Sequence, residues 1–246
     1  MIDLQGIYEK EEFKEAIENF KQNRKRTIFQ EPFLKITNNK CPYCEVNLPE
    51  QIANRNMSAT IDHYRPQEYY LTLKNVYQNY ISMCSDCNNA FKGNKFLVYE
   101  DEEVIEIGGE VTDRSKIANE QAIITNPIKD NIFDIFILRF RLTNKGKVLE
   151  LYPKYTENEN RYLYLKAKET IRLFALGNCE EIDNDKDYNR CRIILLKQHF
   201  SLFYDFAISW KNKDKTRMAI IYSNKKELKE YGFIDFIRQN LFKVEV

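Results

Sequence analysis

Two pairs of cysteines, each with two residues between them, form the strongest chemical pattern in the chain. The pairs are Cys41-Pro42-Tyr43-Cys44 and Cys84-Ser85-Asp86-Cys87. Each pair presents two thiolates from a tight turn, and four thiolates together suit a tetrahedral zinc ion. Because four sulfur ligands close the coordination sphere, we expect this zinc to be structural and not catalytic. Four ordinary core cysteines are the alternative, but two such pairs among 6 cysteines seldom arise by chance.

A second group of polar residues lies between the pairs and directly after the second pair. Asp62 and His63 are adjacent, and Asn88 follows the last cysteine. If a strand ends at position 63, Asp62 and His63 point to opposite sides of it or diverge at a turn. Asp62 offers a carboxylate oxygen and Asn88 a carbonyl oxygen, and two protein oxygens with bound waters suit Mg²⁺, with Mn²⁺ as the alternative. The pattern therefore predicts an exchangeable cation site, separate from the zinc.

His63 is expected to lie beside that cation without binding it. An imidazole with an ordinary pKa of about 6.5 can accept a proton from water near neutral pH. The water would attack a phosphorus atom while the cation stabilises charge on the phosphate and on the leaving oxygen. A histidine that only serves the fold is the alternative, and the oxygen ligands near His63 favour catalysis. These residues indicate metal-assisted phosphodiester hydrolysis.

The order of these residues resembles the ββα-metal, or HNH, endonucleases that carry a flanking zinc site. The likeness runs over about residues 41–96, through the letters CPYC, IDHYRP, N, CSDCN and K. It implies that Asp62 binds metal, that His63 is the general base and that Asn88 is the second metal ligand. It also implies that Asn79, which follows His63 by sixteen positions, orients the loop and the base. The chain would then be an H-N-N variant.

Some assignments within the resemblance have alternatives. Asn75 and Asn89 could take the asparagine roles in place of their neighbours. In many relatives a lysine follows the last ligand by three residues, whereas Lys92 follows Asn88 by four, so a phosphate contact by Lys92 is one of several roles. Arg65 could contact a phosphate or form a salt bridge that holds the loop.

A weaker resemblance reaches beyond this segment. The stretch Asn126-Pro127-Ile128-Lys129-Asp130, a hairpin after it and a helix around positions 166–171 are similar to the HNH subunits of Septu-type and retron-associated antiphage systems. The resemblance implies a defence nuclease that works with an ABC/SMC-like ATPase. It also implies that the C-terminal half contacts this partner.

Composition constrains the setting. The net charge is +1, so the overall field of the chain is a weak source of affinity for nucleic acid, and a partner could supply binding. No apolar run approaches the roughly 18 residues of a membrane span, and the first residues show no secretory signal. We expect a cytoplasmic protein, in which paired cysteines are more often metal ligands than disulfides.

The elements that must position these residues can be read from hydrophobic spacing. Residues 11–26 predict a helix that ends in a basic cluster, which is either a solvated helix end or a phosphate contact. Residues 102–152 predict strands, with a turn at Asn144-Lys145-Gly146. From about 157 the pattern is helical. A first helix carries an apolar stripe from Leu163 to Phe174 with Gly177 as its cap, a second carries the stripe from Leu196 to Trp210, and a third runs from about 225 to 242. The basic cluster contains Lys21, Arg24, Lys25 and Arg26.

Several residues are assigned to packing and not to chemistry. His199 falls among apolar residues at helical spacing, and Cys179 and Cys191 have no partners in sequence, so core positions or incidental thiols are expected. Tyr69, Tyr70 and Tyr77 could stack on bases, but core or loop packing is favoured.

The predicted fold class is α+β: a zinc-pinned ββα-metal module with an added β-hairpin region and a helical C-terminal half. Four segments are expected: 1–40 a helical extension, 41–100 the nuclease module, 101–155 a β-rich part and 156–246 a helical part that binds a partner. The function favoured is a metal-dependent endonuclease with DNA as the expected substrate. The alternatives are a zinc-ribbon module that only binds nucleic acid and an interaction subunit with a remnant site.

Overall fold

The computed structural model describes residues 1–48, 59–143, 146–177, 192–224 and 231–245, with backbone alone for 142–143, 146 and 192–199. Helices and sheets are mixed, which confirms the α+β class. The chain divides into two compact units: Asp3–Asp130, and Asn131–Val246 together with Met1–Ile2. The finer division into four segments stays a prediction. Among the described residues, no helix combines the length and apolar character that a membrane crossing requires.

The first unit contains three helices, a π-helix, five strands and four short 3₁₀ turns among its described residues. The helices are α1 (Glu11–Asn23), α2 (Gln30–Ile36) and α3 (Arg114–Asn119). The strands are β1 (Ala59–His63), β2 (Tyr80–Cys84), β3 (Leu97–Glu100), β4 (Glu103–Glu106) and β5 (Gln121–Ala122). The π-helix is Asp86–Lys92, and the 3₁₀ turns are Ile7–Glu9, Arg26–Phe29, Leu71–Leu73 and Tyr77–Asn79.

Helix α1 is amphipathic and ends earlier than the sequence pattern predicts. Phe13, Ile17 and Phe20 recur at helical spacing and are buried, which is the arrangement that a single core-facing stripe requires. The helix stops at Asn23 because Arg24 adopts a left-handed conformation with φ of 55°. Arg24, Lys25 and Arg26 of the basic cluster therefore lie beyond the end of the helix, and Arg26 begins the 3₁₀ turn that follows.

Aromatic packing fixes that 3₁₀ turn against strand β2. The ring of Phe29 lies 5.8 Å from Tyr80 and 5.7 Å from Phe13, and Phe20 meets Tyr80 edge to face at 5.6 Å. Such ring pairs stabilise a fold by about 0.5–1.5 kcal/mol each beyond the area they bury. The N-terminal segment is therefore part of the same core as the hairpin that carries His63.

The hairpin β1–β2 and the π-helix give the order ββα that the resemblance implies. The two strands pair antiparallel, with His63 opposite Tyr80 and Ala59 opposite Cys84. The second cysteine pair ends β2 and starts the π-helix. Bonding from residue i to i+5 adds about one residue to each turn, and π-helices of this kind are frequent at functional sites. The extra residue offers a reason why Lys92 follows Asn88 by four positions in this chain.

A second sheet in the first unit supports the loop after β1. Its strand order is β4-β3-β5, with antiparallel pairing throughout. Directly after β5, the carbonyl of Ile124 accepts a hydrogen bond from the Tyr64 hydroxyl, and the carbonyl of Thr125 accepts one from Tyr43. Residues well beyond the second cysteine pair thus hold both the first cysteine turn, through Tyr43, and the loop after β1, through Tyr64.

The second unit is a three-stranded sheet with helices packed on it. The strand order is β7-β6-β8, in which β6 (Phe136–Thr143) and β7 (Gly146–Pro153) are antiparallel and β8 (Phe242–Glu245) is parallel to β6. Its helices are α4 (Ile132–Ile135), α5 (Arg161–Phe174), α6 (Arg192–Lys211), α7 (Lys215–Asn224) and α8 (Phe233–Arg238).

The C-terminal region differs from the predicted third helix. The prediction of one helix from about 225 to 242 is confirmed only over Phe233–Arg238, where helix α8 lies, and is wrong at its end, because a strand begins at Phe242. Residues 242–245 add to the sheet edge beside β6, and their alternating burial is that of a half-exposed strand. Helix α7 was not predicted. Pairing with a strand about a hundred residues earlier overrides local propensity here.

Gly177 is needed for close packing and not for capping. Helix α5 ends at Phe174, and Ala175, which follows it with a φ of 51°, provides the left-handed cap residue. A Cβ added to Gly177 would lie 2.5 Å from the carbonyl oxygen of Leu151, so only glycine permits this approach to strand β7. The interpretation of Gly177 as the helix cap was therefore wrong.

Three expectations fall on parts of the chain outside this description. Cys179 and Cys191 lie outside the described residues, as do Asn144 and Lys145 of the predicted turn. His199 lies on α6, where only the backbone is described.

Candidate active site

The four cysteines form a compact, buried cluster. Their sulfur atoms all lie within 4.8 Å of one another, and the cross-pair distances are 3.4 Å from Cys41 to Cys87 and 3.7 Å from Cys44 to Cys84. Zinc–sulfur bonds of about 2.3 Å in a tetrahedron require sulfur separations of about 3.8 Å. None of the four cysteines forms a disulfide, and all four are buried. The cluster therefore has the composition and spacing of a structural zinc site.

Backbone hydrogen bonds shape the turns that present these sulfur atoms. Cys41 N–H donates to Val46 O at 2.9 Å, Glu45 N–H donates to Cys41 O at 2.8 Å, and Glu45 takes a positive φ of 58°. In the second pair, the N–H of Cys87 donates to the sulfur of Cys84 at 3.3 Å. Without a bound cation, burial raises the pKa of the Cys44 thiol well above its ordinary value. A bound cation would reverse that preference.

Strand β1 places Asp62 and His63 on opposite faces. Ile61 and His63 are buried on one face, whereas Thr60 and Asp62 are part-exposed on the other. The cysteine cluster adjoins the Ala59 end of the hairpin, because Cys84 pairs with Ala59. Four residues of strand, about 13 Å, separate that end from His63. The thiol cluster and the histidine thus occupy opposite ends of one rigid hairpin.

The surroundings of His63 define which of its nitrogens carries a proton. Nε2 lies 2.9 Å from the carbonyl oxygen of Lys74, which can only accept, so Nε2 carries the hydrogen. Nδ1 lies 3.3 Å from Nη1 of Arg26, which can only donate, so Nδ1 presents its lone pair. Tyr80 packs edge to face on the ring at 5.2 Å and donates its hydroxyl to the same Lys74 carbonyl. The imidazole is held as a neutral base.

The pKa of His63 also favours the neutral form of its imidazole. The residue is only 4% exposed, and burial lowers its pKa below the ordinary histidine value. The Lys74 carbonyl opposes this shift by holding the Nε2 proton, while the charge of Arg26 lowers the pKa further. A base with a lowered pKa is already unprotonated at neutral pH, which is the state that proton abstraction requires.

Asp62 shares its carboxylate with a buried lysine. Lys92 Nζ lies 2.7 Å from Oδ2 of Asp62 and also donates to the carbonyl oxygens of His63 at 2.9 Å and Gly93 at 3.3 Å. The side chain of Lys92 is fully buried, whereas that of Asp62 is 15% exposed. Lys92 thus joins the π-helix to the end of β1. This geometry favours a structural contact for Lys92 over contact with a phosphate from solvent.

Asn88 reaches the same face of β1 as Asp62. Its Nδ2 donates to Oγ1 of Thr60 at 3.0 Å, and Thr60 precedes Asp62 by two positions, which is one strand repeat on that face. Among the described residues no donor contacts Oδ1 of Asn88. The amide is therefore turned so that its nitrogen faces the strand, and its oxygen remains available as a ligand.

Asn79 clamps the backbone of the loop that follows His63. Its Oδ1 accepts from the N–H of Arg65 at 2.8 Å, its Nδ2 donates to the carbonyl of Arg65 at 2.9 Å, and its own carbonyl accepts from Tyr64 N–H at 2.7 Å. The residue is buried. Three hydrogen bonds from one asparagine hold residues 64 and 65, and thereby the end of β1, in a single conformation.

Arg65 is held by an ion pair and by aromatic rings. Its Nε lies 2.8 Å from Oε1 of Glu120, and the side chains are 11% and 3% exposed. The guanidinium also lies 5.6 to 5.8 Å from three ring centroids, those of Tyr64, Tyr70 and Phe96. Of the two roles open from the sequence, this geometry favours the salt bridge that holds the loop. The hydroxyl of Tyr70 binds Glu120 as well, so Tyr70 is a packing residue here.

Besides the ion pair of Lys92 with Asp62, two contacts of this site were not predicted from the sequence. The first is the contact of Arg26 with His63. Arg26 lies 37 positions before His63, in the basic cluster that was interpreted either as a solvated helix end or as a phosphate contact. The second is Glu120 beside Arg65, 55 positions later. The basic cluster after α1 was a signal for the first. A buried acid opposite a loop arginine carries no signal in the local sequence.

Comparisons with known proteins bear on the class of this site. Residues 41–94 match the family model described as HNH endonuclease, which confirms the resemblance seen in the cysteine pairs and the Asp-His motif. The match covers 54 of the 246 residues and spans both cysteine pairs, β1, β2 and the π-helix. The chain therefore contains an HNH endonuclease segment.

One relative among curated proteins is a Septu protein. Septu protein PtuA from Bacillus mycoides (strain KBAB4) is 32% identical to this chain over an alignment of 114 residues, and the match covers 41% of this chain. The matched part is 14% of that protein, so the chain spans about one seventh of the length of its relative. The similarity confirms the resemblance to Septu-type proteins. No solved structure matches the chain.

Proposed function

We propose that this protein is a divalent-metal-dependent HNH endonuclease that hydrolyses phosphodiester bonds in nucleic acid. The observation that carries the proposal is the state of His63. Its Nε2–H is fixed on the Lys74 carbonyl, and its Nδ1 presents a lone pair to the guanidinium of Arg26. A positioned, neutral imidazole at the end of β1, inside a segment that matches HNH endonucleases, is the arrangement a general base needs.

Asp62 and Asn88 are the residues that would hold the catalytic cation. They offer a carboxylate and a carbonyl oxygen on one face of β1, and hard oxygen donors of this kind suit Mg²⁺ or Mn²⁺. When bound, the cation would polarise the phosphate and stabilise charge on the leaving oxygen. Lys92 occupies only Oδ2 of Asp62, which leaves Oδ1 for coordination.

His63 takes a proton from the attacking water at Nδ1. Because His63 is the last residue of β1, a phosphodiester lying across the end of the strand can meet both the oxygen ligands and the base. The Lys74 carbonyl stabilises the imidazolium that forms, since it already holds the Nε2 proton. Asn79 keeps the base in place through the backbone of residues 64 and 65. Asn79 is thus a positioning residue.

Zinc on Cys41, Cys44, Cys84 and Cys87 serves the fold in this proposal. Four thiolates leave no open coordination position, so zinc there supplies no Lewis acid. Its contribution is to fix the start of the π-helix relative to the hairpin, because Cys84 ends β2 and Cys87 lies in the first turn of the helix. That constraint sets where Asn88 and Lys92 meet β1.

The biological setting follows from the resemblance to Septu proteins. We propose that the protein is the nuclease effector of an antiphage complex, acts on DNA in the cytoplasm and works with an ABC/SMC-like ATPase. A net charge of +1 supports a partner that supplies nucleic-acid affinity. We place partner contacts on the C-terminal helical half, which lies outside the matched HNH segment.

One observation favours a second candidate, an interaction subunit with a weak site. The ammonium of Lys92 reduces the negative charge at Asp62, which opposes cation binding. The two candidates differ in a direct assay. The purified chain, alone and after co-expression with the products of neighbouring genes, is incubated with plasmid DNA, single-stranded DNA and RNA under Mg²⁺ and Mn²⁺. Cleavage that His63→Ala abolishes supports the nuclease, and no cleavage under any of these conditions supports the interaction subunit.

A further inference from the structure

Arg26 lies outside the matched HNH segment and touches the candidate base. Its Nη1 is 3.3 Å from Nδ1 of His63, the nitrogen that would receive the proton. The position is built into the core, since the 3₁₀ turn that Arg26 begins is anchored by Phe29, which packs on Tyr80 in the strand opposite His63. The contact therefore follows from the fold and not from a chance meeting of surface side chains.

The charge of Arg26 is not neutralised within the part of the chain that the structure describes. No carboxylate there lies within ion-pair distance of its guanidinium, and the side chain is exposed to solvent. Arg24, two positions earlier, rests its guanidinium 5.7 Å from the ring of Phe20, which packs on Tyr80. A cation that rests on a neutral imidazole and faces solvent is in the state expected of an anion-binding residue before its anion arrives.

We propose that Arg26 is a further active-site residue, whose guanidinium binds an oxygen of the scissile phosphate and thereby frees Nδ1 of His63 for the attacking water. This inference rests on the proposed nuclease function. A guanidinium binds a phosphate more strongly than a neutral imidazole, because the phosphate carries the opposite charge and can accept two parallel hydrogen bonds from the guanidinium. The arriving phosphate thus draws the guanidinium of Arg26 away from Nδ1 of His63. Arg26 then holds the phosphate beside this base.

The chemical step balances without any other reactant. The water oxygen forms a new bond to phosphorus, and one proton of the water passes to Nδ1 of His63. The bond between phosphorus and the leaving sugar oxygen breaks, and that oxygen takes a proton from solvent. Arg26 keeps its protons throughout and holds the phosphate oxygen on which negative charge increases.

The test compares two substitutions that remove the same charge from adjacent positions. Arg26→Met removes the guanidinium beside His63, while Lys25→Met removes a neighbouring exposed cation that makes no described side-chain contact. The substrates are plasmid DNA and bis(p-nitrophenyl) phosphate, a phosphodiester without bases, with Mg²⁺ or Mn²⁺. We expect Arg26→Met to lower kcat about 100-fold and Lys25→Met to stay within about 3-fold of the parent. Equal rates for the two variants would overturn the proposal.

Two further variants separate chemistry from structure. Arg26→Lys should recover part of the lost rate, and added methylguanidinium should partly restore Arg26→Ala, because a free guanidinium can occupy the same place. Neither rescue is expected if Arg26 only stabilises the fold. Failure of both rescues, with folding and zinc content intact, would therefore count against a phosphate contact.

Failure of the nuclease function would look different. If wild type and His63→Ala cleave both substrates at the same rate, the proposed function fails. Whether Arg26 binds an anion can then still be tested. In that case, binding of a 12-nucleotide single-stranded DNA without added Mg²⁺ or Mn²⁺ decides: a larger loss of affinity for Arg26→Met than for Lys25→Met supports anion binding at Arg26, and equal losses refute it.

Discussion

Lys92 Nζ lies 2.7 Å from Oδ2 of Asp62 and fills, with its ammonium, a position beside the carboxylate expected to bind metal. The lysine side chain is fully buried and makes two more bonds to backbone carbonyls, so it is a fixed part of the module. A fixed ammonium at this point stabilises the carboxylate in the absence of a divalent cation and competes with that cation when it binds.

Lys92→Met should lower the free energy of unfolding by about 3 kcal/mol, because it leaves the carboxylate and two carbonyls without their donor. Urea denaturation measures this. Added Mn²⁺ should raise the Tm of Lys92→Met more than that of wild type, since the competing ammonium is gone. An equal Mn²⁺ effect in both proteins would show that Asp62 does not hold the cation.

Loss of one cysteine should release the zinc. Cys84→Ser removes a buried sulfur ligand at the end of β2, and structural zinc contributes about 10–16 kcal/mol to folding in small zinc domains. We expect about one zinc per wild-type chain by elemental analysis, little in Cys84→Ser, and loss of cooperative unfolding in the first unit. Cys179→Ser, a change outside both CxxC pairs, is the matched control. Wild-type zinc content in Cys84→Ser would refute the site.

Asn79→Ala should weaken both the fold and the reaction. The change leaves the N–H and carbonyl of Arg65 without their partners, which costs about 2 kcal/mol in a buried setting. The loop then no longer fixes the end of β1, so kcat should fall more than KM changes. Steady-state kinetics together with urea denaturation measure the two effects. A stable variant with full kcat would remove Asn79 from the account.

The pH dependence of cleavage should show an acidic limb from His63. Because burial and Arg26 lower the pKa of His63, kcat/KM should fall only below the ordinary histidine value of about 6.5 and should be flat from there upward. Arg26→Met removes one cause of the lowered pKa, so its limb should move to higher pH. A limb at the same pH in both proteins would contradict the contact between Arg26 and His63.

The sequence predicted those parts of this site that the spacing of nearby residues is enough to specify. Two CxxC pairs and an Asp-His motif specify a thiol cluster and a hairpin end, because turn geometry and strand alternation are local rules. The stripe from Leu163 to Phe174 likewise predicted helix α5. These features need no knowledge of how distant segments meet.

The contacts that the sequence did not reveal are all long-range. Lys92 meets Asp62 across 30 positions, Arg26 meets His63 across 37, and β8 joins β6 across about a hundred. Phe242 to Glu245 could not be assigned to a strand because pairing with β6, and not local propensity, decides its conformation. Gly177 was interpreted as a cap for the same reason, since its close approach to Leu151 is a tertiary contact.

Cleavage by His63→Ala tests the central claim most directly. The variant is assayed beside wild type and His199→Gln on plasmid DNA with Mg²⁺ or Mn²⁺, each together with any protein that wild type requires for activity. The account predicts that His63→Ala retains its zinc and cooperative unfolding but loses about 10²–10⁴-fold in cleavage rate, while His199→Gln cuts normally. Cleavage by a folded, zinc-loaded His63→Ala at the wild-type rate would contradict the account.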